Sequence, residues 1–107
     1  MGIHADLDLS PEQQQILQEI LERHLPNREV RAFGSRVRGT AREQSDLDLC
    51  IMGDASLPLD ELAKLQEAFD DSDLPFHVDI VDWVSTSDSF RRIIRTHWVV
   101  VRTPGQK

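Results

Sequence analysis

Two aspartates, Asp46 and Asp48, stand one residue apart in a stretch that we predict to be a β-strand. Side chains alternate along a strand, so both carboxylates project from one face while Leu47 and Leu49 point to the other. Neighbouring carboxylates repel each other, and a hard divalent cation such as Mg²⁺ relieves that repulsion by binding carboxylate oxygens. Taken alone, such a pair is also typical of a solvated strand end, so a metal site needs a second signal.

That second signal is a glycine-bounded turn upstream of the two aspartates. Gly34 and Ser35 end the preceding strand and Gly39 closes the turn. Glycine allows the backbone to approach a ligand closely, and backbone N–H groups together with the Ser35 hydroxyl can bind phosphate. Arg36 and Arg42 can neutralise phosphate oxygens nearby. An isolated Gly-Ser is typical of an ordinary capped turn, but followed by the two aspartates it predicts a phosphate-binding turn beside a metal site.

Length and composition limit what else the chain can be. Its 107 residues predict one domain, 1–107, with 39% hydrophobic and 29% charged residues, as in globular proteins. No apolar run is long enough to cross a bilayer, and the N-terminus lacks a signal peptide's basic start and apolar stretch. A net charge of −7 argues against general nucleic-acid binding. The single cysteine, Cys50, fits a reducing compartment, so we predict a cytoplasmic protein.

Hydrophobic spacing and breaker residues predict the elements that must position this site. A helix begins at Ser10-Pro11 with a capping pattern and ends before Pro26. The order that follows is strand, short turn, strand, helix, strand and helix. The strands are predicted at 29–33, 46–52 and 76–83 and the first of these helices at 59–69. The last helix is capped within 85–88 and runs through Phe90, Ile93 and Ile94 to Trp98. Residues 99–102 fit either the end of that helix or a short strand, and 103–107 are predicted to be a flexible tail. This order predicts an α+β fold with helices packed on one sheet.

The motif Gly34-Ser35, Gly39 and Ser45-Asp46-Leu47-Asp48 resembles the signature of the DNA polymerase beta-like nucleotidyltransferase superfamily. The short chain resembles its minimal nucleotidyltransferase branch, the antitoxin-type proteins encoded beside HEPN-domain partners. The resemblance implies a mixed β-sheet with helices packed on it. It also implies a third carboxylate from a later strand. Asp79 is the natural match because it sits inside an alternating apolar run, whereas Asp82 would face the opposite side.

The resemblance implies a two-metal mechanism with ATP as substrate. Asp46, Asp48 and Asp79 would hold two Mg²⁺ ions, and Asp79 would help to deprotonate the attacking hydroxyl. The phosphates of the nucleotide would contact the turn and its neighbours, namely Gly34, Ser35, Arg36, Arg42 and Ser45. His77 shares the predicted face of Asp79, two residues away, and is a further candidate for contact with the site.

The implied activity is transfer of AMP to a tyrosine hydroxyl of a HEPN-domain toxin, which would make this chain an antitoxin within a hetero-oligomer. Small-molecule relatives in the superfamily carry an additional helical domain that shapes the acceptor pocket, so the short chain favours a macromolecular acceptor. Three alternatives remain open. They are a non-catalytic antitoxin that neutralises its partner by contact, a nucleotidyltransferase acting on a small molecule, and an α+β domain whose acidic strand has no function.

Overall fold

A computed structural model describes residues 7–105 of the chain. Their elements are α1 (Pro11–His24), β1 (Val30–Phe33), α2 (Ser35–Arg38), β2 (Leu47–Ile51), α3 (Leu59–Asp70), β3 (Val78–Asp82), a 3₁₀ turn (Trp83–Ser85), α4 (Asp88–Thr96) and β4 (Trp98–Arg102). None of the described helices has the length and apolar character needed to cross a membrane. Residues 1–6, used above for the absence of a signal peptide, and 106–107, the end of the predicted flexible tail, lie outside the described residues.

Helix α1 begins as its sequence predicts. The Ser10 hydroxyl accepts a hydrogen bond from the Gln13 backbone N–H at 3.1 Å, and the Gln13 side chain accepts one from the Ser10 N–H at 3.0 Å. This reciprocal capping box satisfies two N–H groups that the first helical turn would otherwise leave unpaired. The helix ends at His24, ahead of Pro26, and buries Leu17 and Leu21. The predicted start and end of this helix are therefore confirmed.

The sheet is mixed, with the strand order β3-β2-β1-β4. Strand β1 pairs antiparallel with β2 and β4, while β2 pairs parallel with β3. The ambiguous segment 99–102 is a strand, and the prediction that Trp98 ends the last helix was wrong because α4 stops at Thr96. Three consecutive valines follow Trp98, and their β-branched side chains favour pairing with β1 over continuation of the helix.

Both faces of the sheet are covered, but unequally. The larger core contains leucines from the first and third helices together with the inward residues of the strands, including Leu17, Leu49 and Leu65. The smaller core on the opposite face joins Phe33, Cys50 and Ile94 under α4. Asp48 and Cys50 are two residues apart on one strand and therefore share this second face. The short helix α4 buries the Cys50 end of that face and leaves Asp48 half-buried beside a cleft.

Helix α4 provides a matched pair of substitutions that tests this packing. Ile94 is fully buried, whereas its neighbour Ile93 is 59% exposed. We expect Ile94→Ala to lower the free energy of unfolding by about 2–5 kcal/mol, because it leaves a cavity beneath the helix. Ile93→Ala should change it by less than about 0.5 kcal/mol. Urea denaturation measures both, and equal effects would contradict the orientation of α4.

Candidate active site

Asp48 occupies the centre of the candidate site because two strand pairings meet at its position. Its register partner in β1 is Phe33, and its register partner in β3 is Asp79. The Leu47 N–H donates to the His77 carbonyl at 3.0 Å, which fixes the start of β2 against β3. Strand β2 begins at Leu47, so Asp46 lies one residue before the strand and is exposed. The structure thus brings all three predicted carboxylates to one end of the sheet.

Gly34 is the residue closest to the Asp48 carboxylate from the β1 side. Its φ of +84° lies in the left-handed region that side chains disfavour. A Cβ at this position would lie only 2.2 Å from Oδ2 of Asp48. Position 34 therefore requires glycine for two reasons: the backbone conformation, and the space that the Asp48 carboxylate occupies.

A one-turn helix, α2, stands where the sequence indicated only a turn. Gly39 closes it in a left-handed conformation, with its N–H donating to the Ser35 carbonyl at 3.1 Å. The helix places Arg38, one turn beyond Ser35, in the same cleft as Gly34 and Asp48. Sequence reasoning did not select Arg38. The signal was its spacing of three residues from Ser35, which only a helical turn makes meaningful.

The cleft around Asp48 has a volume of about 240 Å³ and two walls. One wall comes from the sheet and α2, and the other from α4 and the residue after it. The lining residues are Phe33, Gly34, Arg38, Asp48, Phe90, Ile93, Thr96 and His97. The α4 wall was missed by sequence reasoning, although Phe90, Ile93 and His97 follow the spacing of one helix face. Their spacing indicated a face but not which part of the sheet that face would meet.

Arg36 has a different environment from the one expected for a phosphate ligand. Its side chain is buried, and its guanidinium stacks on the Phe76 ring at 4.0 Å. Burial lowers the pKa of Arg36, against the opposing charges of Asp8 and Asp46. The guanidinium donates to four backbone carbonyls, those of Asp8 at 2.9 Å, Arg42 at 3.2 Å, Glu43 at 2.9 Å and Ser45 at 3.0 Å. Arg36 thus holds the loop that leads to Asp46, and its charge is not directed at the Asp48 cleft.

Ser45 and Arg42 also contribute mainly to this loop. The Ser45 hydroxyl accepts a hydrogen bond from the Arg42 backbone N–H at 2.8 Å, closing a turn immediately before Asp46. The Arg42 side chain lines a separate cavity of about 550 Å³. Among the predicted phosphate contacts, the structure therefore places Gly34 in the Asp48 cleft with Ser35 next to it in the chain, and directs Arg36 and Arg42 elsewhere.

The electrostatics of the carboxylate cluster are unfavourable without a cation. Burial, followed by the nearby charges of Asp79 and Asp46, raises the pKa of Asp48 to about 6. The positive charges of Arg38 and His77 act in the opposite direction on this pKa. Contact of His77 with the site stays a prediction. A bound divalent cation would favour the ionised form of Asp48.

The chemistry of these donors fits Mg²⁺, which prefers carboxylate oxygens and keeps several ligands from water or substrate phosphates. Within residues 7–105, no three carboxylate, imidazole or thiolate groups already converge as a complete ligand set. Asp48 and Asp79 are register neighbours and Asp46 lies at the same end of the sheet. The protein thus offers part of a coordination shell, and the donor set fits an ion whose shell is completed by phosphate oxygens.

Comparison with known proteins identifies the family. Residues 14–103 match the family model described as nucleotidyltransferase domain. The chain is also 49% identical, over 104 residues, to the "Probable protein adenylyltransferase MntA" of Haemophilus influenzae, covering 95% of this chain and 90% of that relative. The chain belongs to the nucleotidyltransferase domain family, as its motif predicted.

Solved structures confirm the fold. One entitled "Crystal structure of the toxin-antitoxin with AMP-PNP" superposes with a TM-score of 0.70 at 23% identity. Another, "Crystal structure the toxin-antitoxin MntA-HpeT mutant-D39ED41E", gives 0.68 at 22% identity. Each match covers 83% of this chain and 72% of the matched chain. The predicted α+β nucleotidyltransferase fold with a mixed sheet is therefore confirmed.

Gly34 and Gly39 have similar backbone conformations. Comparing alanine substitutions at the two positions therefore separates the contact of Gly34 with Asp48 from backbone strain. Gly39 has a φ of +80°, but a Cβ there would meet no atom within 4 Å. Alanine at either position should cost roughly 1–2 kcal/mol of stability because of the left-handed backbone. Only Gly34→Ala should also displace the Asp48 carboxylate and abolish Mg²⁺-dependent ATP binding in titration calorimetry. Equal ATP binding by the two variants would contradict a site organised around the contact of Gly34 with Asp48.

The pKa of Asp48 predicts how stability depends on pH without metal. Its folded pKa, about 6, lies above the ordinary value of 3.8, so the folded state binds this proton more tightly than the unfolded state. The contribution of Asp48 to stability therefore falls as pH rises from about 4 to about 6. The Asp48→Asn variant lacks that loss. Its free energy of unfolding relative to wild type should therefore increase as pH rises from about 4 to about 6. Urea denaturation in EDTA at several pH values measures the difference, and a constant difference would contradict the shift.

Proposed function

We propose that this chain is a Mg²⁺-dependent protein adenylyltransferase that transfers AMP from ATP to a tyrosine hydroxyl of a HEPN-domain toxin, and so acts as its antitoxin. The observation that carries the proposal is the cluster of Asp46, Asp48 and Asp79 beside Gly34. The naming of a 49% identical relative as a probable protein adenylyltransferase supports the reaction class. Toxin–antitoxin complexes among the structures of the same fold support a toxin partner. Such a reaction belongs in the cytoplasm, where ATP is supplied.

The proposed reaction is a displacement at the α-phosphorus of ATP. The acceptor oxygen forms a bond to that phosphorus, the bond to the bridging oxygen of the β-phosphate breaks, and pyrophosphate leaves. Asp79 is exposed at the open side of the cluster and would accept the proton of the attacking hydroxyl. Gly34 leaves room for the Asp48 carboxylate. Arg38, which lines the same cleft, would supply a positive charge for the phosphates, and Ser35 would supply a hydroxyl from the same turn. Mg²⁺ held by the three aspartates would supply charge neutralisation of the triphosphate.

A transfer assay with α-labelled ATP tests this function. We expect label on the HEPN-domain protein encoded next to this chain, dependent on Mg²⁺ and lost in EDTA. Asp48→Asn should lower the rate by about a hundredfold or more, because a group that stabilises the transition state is lost. Asp54→Asn, a change in the exposed loop after β2, is the matched control and should retain the wild-type rate.

Three outcomes would contradict the proposal. If the wild-type chain binds the HEPN-domain protein but transfers no label to it, AMP transfer to that acceptor is excluded. If an Asp46→Ala, Asp48→Ala double variant still neutralises the toxin in full, contact alone is responsible. Label transferred to an added aminoglycoside rather than to the protein would favour a small-molecule nucleotidyltransferase.

A further inference from the structure

Helix α4 exposes two large apolar side chains at the edge of the Asp48 cleft. Phe90 is 37% exposed and Ile93 is 59% exposed, and both line the cleft together with Asp48. Single exposed apolar residues are normal on protein surfaces, whereas apolar residues that form a contiguous surface are typical of interaction sites. Any acceptor that reaches Asp48 from the α4 side must pass over this pair.

A second apolar groove continues from the other side of Phe90. It has a volume of about 500 Å³ and includes Leu57, Leu59 and Leu62 near the start of α3. Leu59 is 84% exposed, the most exposed of the large apolar residues described. Because Phe90 lines both cavities, the apolar surface extends from the cleft to α3. A surface that continues into a second groove fits an extended polypeptide better than it fits the base of a single nucleotide.

The charges on α4 differ in sign from those of the whole chain. The helix carries three arginines and one aspartate, while the chain has a net charge of −7. Arg91 donates two hydrogen bonds to the Trp83 carbonyl, and the Arg95 guanidinium lies 5.4 Å from the Trp83 ring centre. The Arg92 side chain is exposed and makes no hydrogen bond or ion pair with the part of the chain described here. Arg92 and Arg95 thus form a local positive patch, which is complementary to an acidic partner.

We propose that Phe90, Ile93, Arg92 and Arg95, together called the α4 rim, form the docking surface for the acceptor protein. The occupant is a polypeptide segment that places apolar side chains on Phe90 and Ile93 and acidic side chains next to Arg92 and Arg95. Its hydroxyl then enters the cleft at Asp48. This inference rests on the proposed function only in taking the acceptor to be the protein that receives AMP. It adds where that protein binds and which acceptor chemistry is selected.

Single substitutions in the rim test the docking surface against matched controls. Ile93→Ser and Arg92→Glu should each raise the KM for the HEPN-domain acceptor about tenfold or more, with the Kd for Mg²⁺·ATP unchanged. Val100→Ser, an apolar residue exposed to 38% on β4, and Arg23→Glu, an exposed arginine on α1, are the controls and should leave both constants unchanged. Raising the salt concentration should weaken acceptor binding by wild type more than by Arg92→Glu, because one charge contact has been removed.

Each result bears on either the docking surface or the proposed function. If wild type transfers label and the rim variants keep its KM for the acceptor, the docking surface is wrong while the function stands. If the Kd for ATP rises instead, the nucleotide covers the rim and the inference is overturned. If wild type transfers no label, calorimetry still measures whether the acceptor binds to the chain. A loss of binding in Ile93→Ser would then support the docking surface without the function, and unchanged binding would contradict it.

Discussion

The site depends on the register of β2, which places one carboxylate between two neighbouring strands. Antiparallel pairing sets Asp48 opposite Phe33, so that the residue after Phe33, Gly34, turns directly over the carboxylate. Parallel pairing sets Asp79 on its other side. A shift of one residue would carry Asp48 into the leucine core on the opposite face, so burial of Leu47 and Leu49 fixes the register. The hydrophobic core therefore determines the position of a polar site.

The arrangement has an energetic cost that a bound ion would offset. Asp48 is half-buried beside two further carboxylates, and its raised pKa reflects that cost. The described residues supply no complete ligand set. Under the proposed function, water and the triphosphate would supply the remaining ligands. Phosphate oxygens would then bind the ion, and the ion would neutralise the charge of the triphosphate. Each should therefore bind more tightly in the presence of the other, as linkage between two ligands requires.

The sequence predicted those parts of the structure that depend on local pattern. Strand alternation placed Leu47 and Leu49 on the face opposite Asp48, and the capping residues of α1 marked its start. The role of Arg36 could not be predicted in this way, since a long charged side chain is usually exposed and nothing local reveals four carbonyls converging on it. The α4 wall of the cleft was missed for a related reason. The spacing of Phe90 and Ile93 defines a helix face, but only tertiary packing decides what that face meets.

Helix α4 links the core to the cleft through neighbouring residues with opposite orientations. Ile94 points into the small core with Phe33 and Cys50, while Ile93 faces the cleft. Phe90 packs edge-on against Phe33, with ring centres 5.9 Å apart, and Phe33 is the β1 partner of Asp48. The contacts that hold α4 on the sheet thus begin at the residue paired with the central carboxylate. These contacts place the α4 rim beside Asp48, where an acceptor hydroxyl has to be positioned under the proposed function.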